Sequence, residues 1–261
     1  MKKIKIILSL LLVLCSGIVF AQDTIRVRVM TYNLRFGELA SMEEIAQHIK
    51  SFNPDFVALQ EVDSKTYRKR TPHQHGVDFL GELAYHTGMF GIYGKTIDYA
   101  SGYYGIGILS KYSYITTKKT MLPKTEERLE QRALLEGLFE VGNDTIVFAS
   151  THLDAMSDET RSIQFDKIKK CLEASQYPVL LGGDFNTRST SSLIKKMDNW
   201  FLGTDSDFGI PSWKPIAKID YIFGYPQKGW EIISTQTIQS LLSDHMPIIT
   251  ELIYIKPNSK K

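Results

Sequence analysis

The chain has 261 residues, 43% of them hydrophobic, with 31 lysines and arginines against 29 aspartates and glutamates and a formal net charge of +2. That length fits one large α/β domain with an adequate core and excludes a small scaffold held together by staples. The near-balanced charge also argues against a protein built around one broad basic face for a polyanion.

At the N-terminus, Lys2, Lys3 and Lys5 precede the apolar run Ile6 to Leu14, and Val19-Phe20-Ala21 follows it. This reads as a signal peptide over residues 1–21, with Gln22 as the new N-terminus and export to the periplasm or the exterior. The apolar run is short for a membrane span, so no transmembrane segment is expected in the mature chain. A lipoprotein reading would use Cys15, but Leu14 stands where a small residue is wanted. Three of the 31 basic residues leave with the leader, so 28 against 29 acidic ones gives the mature chain about −1. Cys15 leaves too, and Cys171 alone forms no intramolecular disulfide.

From Ile25, apolar Ile25, Val27 and Val29 alternate with Arg26 and Arg28, which predicts a strand ending at Tyr32-Asn33. Ser41 and Glu44 form a capping box for a helix that stops before Pro54. Phe56 to Leu59 is a short buried strand with Gln60-Glu61 at its end. Val77 to His86 reads as a helix, and Tyr104 to Ser110, Arg132 to Val141 and Thr145 to Ser150 as strands, with Gly142-Asn143-Asp144 turning a hairpin. Asp158 to Ser175 is the longest helical pattern, with Ile163, Ile168 and Leu172 inward. Pro178 to Leu181, Ile219 to Phe223, Trp230 to Thr237 and Pro247 to Tyr254 complete the strands. No repeat or linker interrupts residues 22–255, and 256–261 read as a frayed tail. The mixture of hairpins and helices argues against a purely parallel sheet and suits two packed sheets flanked by helices.

Polar, ligand-type residues stand where apolar strands end: Asn33, Glu61, His152 with Asp154, Asp184 with Asn186, and Asp244-His245 before a strand. Strand ends line a common rim in α/β proteins. Singly, each has an ordinary reading. Asn33 suits a turn, Glu61 a solvated strand end, Asp184-Phe185-Asn186 an Asx turn or helix cap, and His152 and His245 satisfied core positions. Asp244 beside His245, with Asp220 in Ile219-Asp220-Tyr221, favours function, because flanking carboxylates raise the basicity of an imidazole and fix its tautomer.

Together, Thr31-Tyr32-Asn33-Leu34, Leu59-Gln60-Glu61, the segment from Tyr104 to Lys111, Thr151-His152-Leu153, Gly183-Asp184-Phe185-Asn186, Ile219-Asp220-Tyr221-Ile222 and Ser243-Asp244-His245-Met246-Pro247 resemble the endonuclease/exonuclease/phosphatase superfamily. Its members include deoxyribonuclease I, apurinic endonucleases, sphingomyelinases and inositol polyphosphate phosphatases. The resemblance implies a four-layer α/β/β/α sandwich of two mixed sheets, of the α+β class. It implies a hydrolase that uses Mg²⁺, or Mn²⁺ in its place. By the same resemblance, Glu61 is the main metal ligand, with Asn33 beside it and Asp244 able to serve a second metal position. Asp184 and His245 deprotonate the attacking water, and Asp220 orients His245. Asn186 and His152 hold phosphate oxygens, and Arg132 faces the phosphate.

Oxygen ligands suit Mg²⁺, and a phosphate ester needs positive charge and donors where charge builds during attack. Arg68-Lys69-Arg70 with His73 and His75 is either a solvated charge run or a site for a second phosphate or head group. Tyr99, Tyr103, Tyr104 and Trp213 are either core or an aromatic rim for a base or sugar. Export and near-neutral charge favour a phosphorylated small molecule or lipid head group, acted on by a monomer. A secreted nuclease acting on nucleic acid is the alternative, and a non-catalytic phosphate-binding module the third reading.

Overall fold

The structure, a computed structural model, describes residues 24–256. The expected leader, Cys15, Gln22 and residues 257–261 of the expected tail lie outside the described residues. No helix among the described residues is long and apolar enough to cross a membrane.

The alternation read at the start of the chain forms β1 (Thr24–Asn33). Ile25, Val27 and Val29 face a second sheet, while Met30 and Tyr32 face helices. The capping box forms as expected: Ser41 and Glu44 satisfy each other's backbone N–H at the start of α1 (Met42–Ser51). The chain continues through β2 (Phe56–Ser64), α2 (Phe79–Thr87), β3 (Phe90–Tyr99) and β4 (Gly102–Ser110). Next come β5 (Tyr114–Met121), β6 (Ala133–Val141), β7 (Asp144–His152), α3 (Asp158–Leu172) and β8 (Val179–Asp184). The last strands are β9 (Phe201–Leu202), β10 (Asp220–Tyr225), β11 (Trp230–Thr237) and β12 (Ile248–Ile255).

Two six-stranded sheets result, ordered β11-β12-β1-β2-β4-β3 and β5-β6-β7-β8-β10-β9. Each has one parallel pair at its middle, β1 with β2 and β7 with β8, joined by α1 and α3 respectively, and is otherwise antiparallel. The sheets pack through Val27, Val29, Phe56, Phe139, Phe148, Leu180 and Ile222. α1 and α2 cover the outer face of the first sheet with Ile45, Ile49 and Leu83. α3 covers the second with Phe165, Ile168 and Leu172. This is the expected four-layer α/β/β/α sandwich.

Three local expectations need correction. The strand expected to stop at Leu59 runs on to Ser64, because its pairing with β4 shifts register between Leu59 and Val62 and Glu61 takes a left-handed φ of 56°. Glu61 therefore projects from a bulge inside β2, a common way to re-aim a side chain. Ile163 is only half-buried. Gln164 takes the inward place in α3, accepting from the Asp154 N–H at 2.9 Å and donating to the Pro123 carbonyl at 3.1 Å. Finally, β3 and β5 form where no strand was expected. Both are sheet edges, and β5 is exposed along almost its whole length, so its sequence carries lysines and threonines rather than apolar alternation.

Candidate functional site

The period of two along a strand builds the site. Residues facing the opposite sheet are apolar along most of each central strand and turn polar at one end. In β1 the series Ile25, Val27, Val29 passes to Thr31 and Asn33. In β2, Phe56 and Ala58 give way to Gln60, in β7 Phe148 gives way to Ser150 and His152, and in β8 Leu180 gives way to Gly182 and Asp184. The antiparallel β10 enters from that end with Asp220 paired to Asp184. Gly182 lets the sheets meet there, since a Cβ at that position would stand 2.8 Å from the Cβ of Ala58. A buried polar layer floors the site, with Gln60 bonded to Thr31 at 3.4 Å and to Ser150 at 3.5 Å.

Asp184, almost fully buried, is the hub. Its Oδ2 accepts from the Asn33 amide at 3.1 Å and lies 3.5 Å from His152 Nε2 and 3.8 Å from His245 Nε2. Its Oδ1 accepts the Asn186 backbone N–H at 2.8 Å. Burial and then the neighbouring Asp220 push the Asp184 carboxyl up to about 7, against the pull of His245, Asn186 and Asn33. Burial alone would lower the His245 imidazole, but Asp220, Asp184 and Asp244 outweigh it and raise the ring to about 10. The close partner is Asp220, whose Oδ2 lies 2.8 Å from His245 Nδ1, leaving Nε2 turned toward Asp184.

His152 differs. Arg132 Nη1 lies 2.9 Å from its Nδ1. A guanidinium only donates, so Nδ1 accepts and the ring N–H sits on Nε2, aimed at Asp184. Burial, Arg132 and His245 push this ring well below its ordinary range, so it stays neutral. Arg132 is itself buried and paired with Glu130 at 2.9 Å.

Asn33 donates to both Glu61, at 3.2 Å, and Asp184, while its oxygen accepts the Arg35 N–H at 2.9 Å. It bridges the two carboxylates through its nitrogen. Burial raises the Glu61 carboxyl above its ordinary value, with His245 and Asn33 opposing and Asp244 adding to the rise. Asp244 is bound by Arg35, which also pairs with Glu38. The Asn186 side chain donates to the Leu153 carbonyl at 3.0 Å, so it reaches Asp184 through its backbone N–H. Asp154 has a local role, accepting the N–H groups of Met156 and Ser157 ahead of α3.

Of the expected substrate rim, Arg68 is engaged by Asp63 through two bonds of 2.9 Å, and Tyr104 is buried beside it. Trp213 is exposed beneath Arg35, 5.9 Å from its guanidinium. His73 and His75 point to the carbonyls of Gly37 and Arg68. Sequence reasoning missed Arg35, Phe36, Glu38 and Asp63. Arg35 and Phe36 have left-handed φ angles of 44° and 42°, a conformation that no local residue pattern announces.

The donor set fits a divalent cation. Glu61, Asp184, Asp220 and Asp244 face Arg35, Arg132, Lys218 and the His245 ring, but the first three of these cations also serve Glu38, Glu130 and Asp205, and Asp220 Oδ1 is buried without a partner. Oxygen donors with surplus negative charge suit a hard ion such as Mg²⁺. Among the described residues, ligand atoms of Asp184, Asp220 and His245 lie within 4.8 Å of one another. Glu61 joins that group through the Asn33 amide, which donates to both Glu61 and Asp184.

The model of the Endonuclease/Exonuclease/phosphatase family matches residues 30–245. Among solved structures, a protein of that description from Bacteroides thetaiotaomicron is 15% identical with a TM-score of 0.71, covering 89% of this chain and 99% of its own. A mannosyl-6-phosphatase from Bacteroides thetaiotaomicron VPI-5482 is 16% identical with a TM-score of 0.68, covering 87% and 99%. The human Nocturnin catalytic domain with bound sulfate is 18% identical with a TM-score of 0.67, covering 89% and 97%. No curated protein sequence matches the chain significantly.

Proposed function

Because the chain belongs to the endonuclease/exonuclease/phosphatase family, we propose that it is an exported, Mg²⁺-dependent phosphoesterase acting on a small phosphorylated molecule or lipid head group. The carrying observation is the buried relay in which Asp220 holds His245 and His245 faces Asp184. A metal ion held by Glu61 and its neighbours would supply positive charge to the phosphate and lower the pKa of water.

The chain's own groups divide the remaining work. With its carboxyl near 7, Asp184 is the group poised to take a proton from water at neutral pH. The sequence reading let His245 share that task. The charged ring favoured by Asp220 suits it better to donate from Nε2 to a phosphoryl oxygen as negative charge builds there. Neutral His152 offers a second N–H in the same direction, steadied by Arg132. Asn33 keeps Glu61 and Asp184 in fixed relation. A small substrate is supported by the overall charge and by structural neighbours that include a mannosyl-6-phosphatase and a 2′,3′-cyclic phosphatase.

The test is hydrolysis by the purified mature chain of aryl phosphates, sugar phosphates, phospholipids, inositol phosphates and nucleic acids, with Mg²⁺ and with chelator. Release of phosphate or alcohol from a small ester only with the metal present, and its loss in Asp184→Asn, is expected. No hydrolysis of any of these esters with Mg²⁺ or Mn²⁺ would overturn the reading. Sequencing the N-terminus of protein recovered outside the cytoplasm tests the expected cut before Gln22.

A further inference from the structure

Beyond the loop that follows Glu61, a cleft of about 550 Å³ opens between Phe36, Tyr67, Arg68, Arg70 and Tyr99. That volume lies in the ~300–1,000 Å³ span of small-ligand sites. Its construction is unlike that of a solvated charge run. The Arg68 guanidinium is fixed edge-on by both oxygens of fully buried Asp63. Its faces lie 4.1 Å from the Phe36 ring centre and 4.2 Å from that of Tyr99, with Tyr104 at 5.4 Å. Arg68 therefore has little left to offer a ligand. It pins two aromatic walls in place.

Phe36 reaches this position through a left-handed φ of 42°, next to Arg35 at 44°. Non-glycine residues held there cost roughly 1–3 kcal/mol each and gather at ligand clamps and active sites. The strained pair serves both places at once, since Arg35 binds Asp244 on the catalytic rim and Phe36 walls the cleft. The two places are close. Asp63 follows Glu61 by two residues on β2, just past the bulge. The Tyr104 phenol feels the charges of both Glu61 and Arg68.

The charge changes sign between them. The catalytic rim is rich in carboxylates, whereas Arg68, Lys69 and Arg70 line the cleft, with Asp63 and Glu38 paired to the two arginines. Lys69 and Arg70 are exposed, and Arg70 donates from Nε and Nη2 to the two oxygens of Glu38, which it shares with Arg35, so Lys69 is the principal cation open to a ligand.

From this placement we propose that the cleft holds the alcohol part of the ester. The preferred substrate would carry a ring that lies against Phe36, Tyr67 and Tyr99 and a second phosphate that meets Lys69 and Arg70. The proposal rests on the phosphoesterase reading for the first phosphate, which sits at Asp184 and His245. A sugar or a nucleoside supplies the same chemistry, a ring with a second anion.

Binding tests it without turnover. Calorimetry with the full mature chain and Ca²⁺ compares glucose 1,6-bisphosphate with glucose 6-phosphate, and adenosine 3′,5′-bisphosphate with adenosine 5′-monophosphate. A charge-assisted contact to the second phosphate should favour at least one bisphosphate over its monophosphate by about tenfold or more. The pair showing the larger ratio identifies the ring. In the double variant Lys69→Ala, Arg70→Gln the ratio should fall to near one, and Tyr99→Leu should weaken both members of the preferred pair. Both cations are exposed, so circular dichroism should show the variant folded. Ratios near one in the wild type, no binding of either bisphosphate, or a ratio unchanged in the double variant would overturn the proposal. Tight binding of a bisphosphate that is never hydrolysed with Mg²⁺ would instead refute the phosphoesterase reading and leave the cleft assignment standing.

Discussion

Replacing Asp220 by Asn removes one charge from the site and almost no volume, so it tests the electrostatics of His245 and of Asp184, whose carboxyl Asp220 also raises. Asp220 and His245 are buried and 2.8 Å apart. At an effective dielectric constant of ~20, Coulomb's law gives about 6 kcal/mol for two unit charges at that separation. Holding the ring at about 10 instead of 6.5 corresponds to roughly 5 kcal/mol. The two figures are consistent, because burial opposes the charged ring and takes back part of the attraction. In Asp220→Asn only Asp184 and Asp244 are left to oppose burial, so the ring's pKa should fall well below its wild-type value.

The assay is a ¹H–¹⁵N or ¹³C NMR titration of His245 in metal-free wild type and variant. The sign follows from linkage. A ring whose folded pKa is raised contributes stability that is complete below about 6.5 and lost as pH rises through about 10. Wild type should thus exceed the variant in unfolding free energy by several kcal/mol near pH 6, and the gap should close progressively between about 6.5 and 10. Turnover at neutral pH should fall on the order of 10² to 10³, the usual worth of one well-placed donor to a developing anion. A wild-type ring already neutral at pH 7, or a titration that Asp220→Asn leaves in place, would refute this account of His245.

Glu61→Gln should weaken Mg²⁺ by ~10-fold or more, since ligand charge sets affinity at such sites; the Mg²⁺ dependence of turnover and of Tm measures it, and unchanged dependence would move the ion toward Asp184 and Asp220. The Asp184 contribution to the stability of metal-free protein should be lost as pH rises from about 4 to 7, because a carboxyl raised to about 7 stabilises the fold fully only below its ordinary value near 3.8. Asp184→Asn should flatten that slope in a urea-unfolding series, and a slope that survives the substitution would assign it to other groups. Raising salt from low to moderate should change turnover of a small substrate little, whereas the steep loss expected when ~6 to 10 phosphates are contacted would favour a polynucleotide.

What could be read from the sequence follows from what each element has to do. β1 alternates buried Ile25 and Val27 with outward Arg26 and Arg28 before its end is buried on both faces, so its apolar pattern announces it, and α1 carries its start signal in Ser41 and Glu44. β3 and β5 lie at sheet edges, where half of each backbone needs no partner and the side chains answer to water. Asn33, His152, Asp184 and Asp220 were legible because strand ends place them, and their motifs lie next to apolar runs. Arg35, Phe36 and Asp63 were not, because their importance comes from contacts with Asp244, Arg68 and Tyr99, which lie far off in the chain or have no periodic relation to them.

The left-handed residues divide along the same line. Asn53 and Lys65 follow the ends of α1 and β2, while Ala100 and Ser101 turn the β3–β4 hairpin at the edge of the cleft. Arg35, Phe36, Glu61 and Asn186 sit at the rim or the cleft. Glu61 uses its angle to lift a carboxylate out of a β2 bulge, and Asn186 to direct its N–H to Asp184. Local strain of this kind persists only when surrounding contacts fix it. For Arg35 and Phe36 those contacts are the ion pairs with Glu38 and Asp244 and the stack on Arg68. Removing Arg68 should therefore loosen Phe36 and, through the adjoining Arg35, the Asp244 side of the catalytic rim. A change in the cleft would then be felt at Asp244 without any direct contact between them.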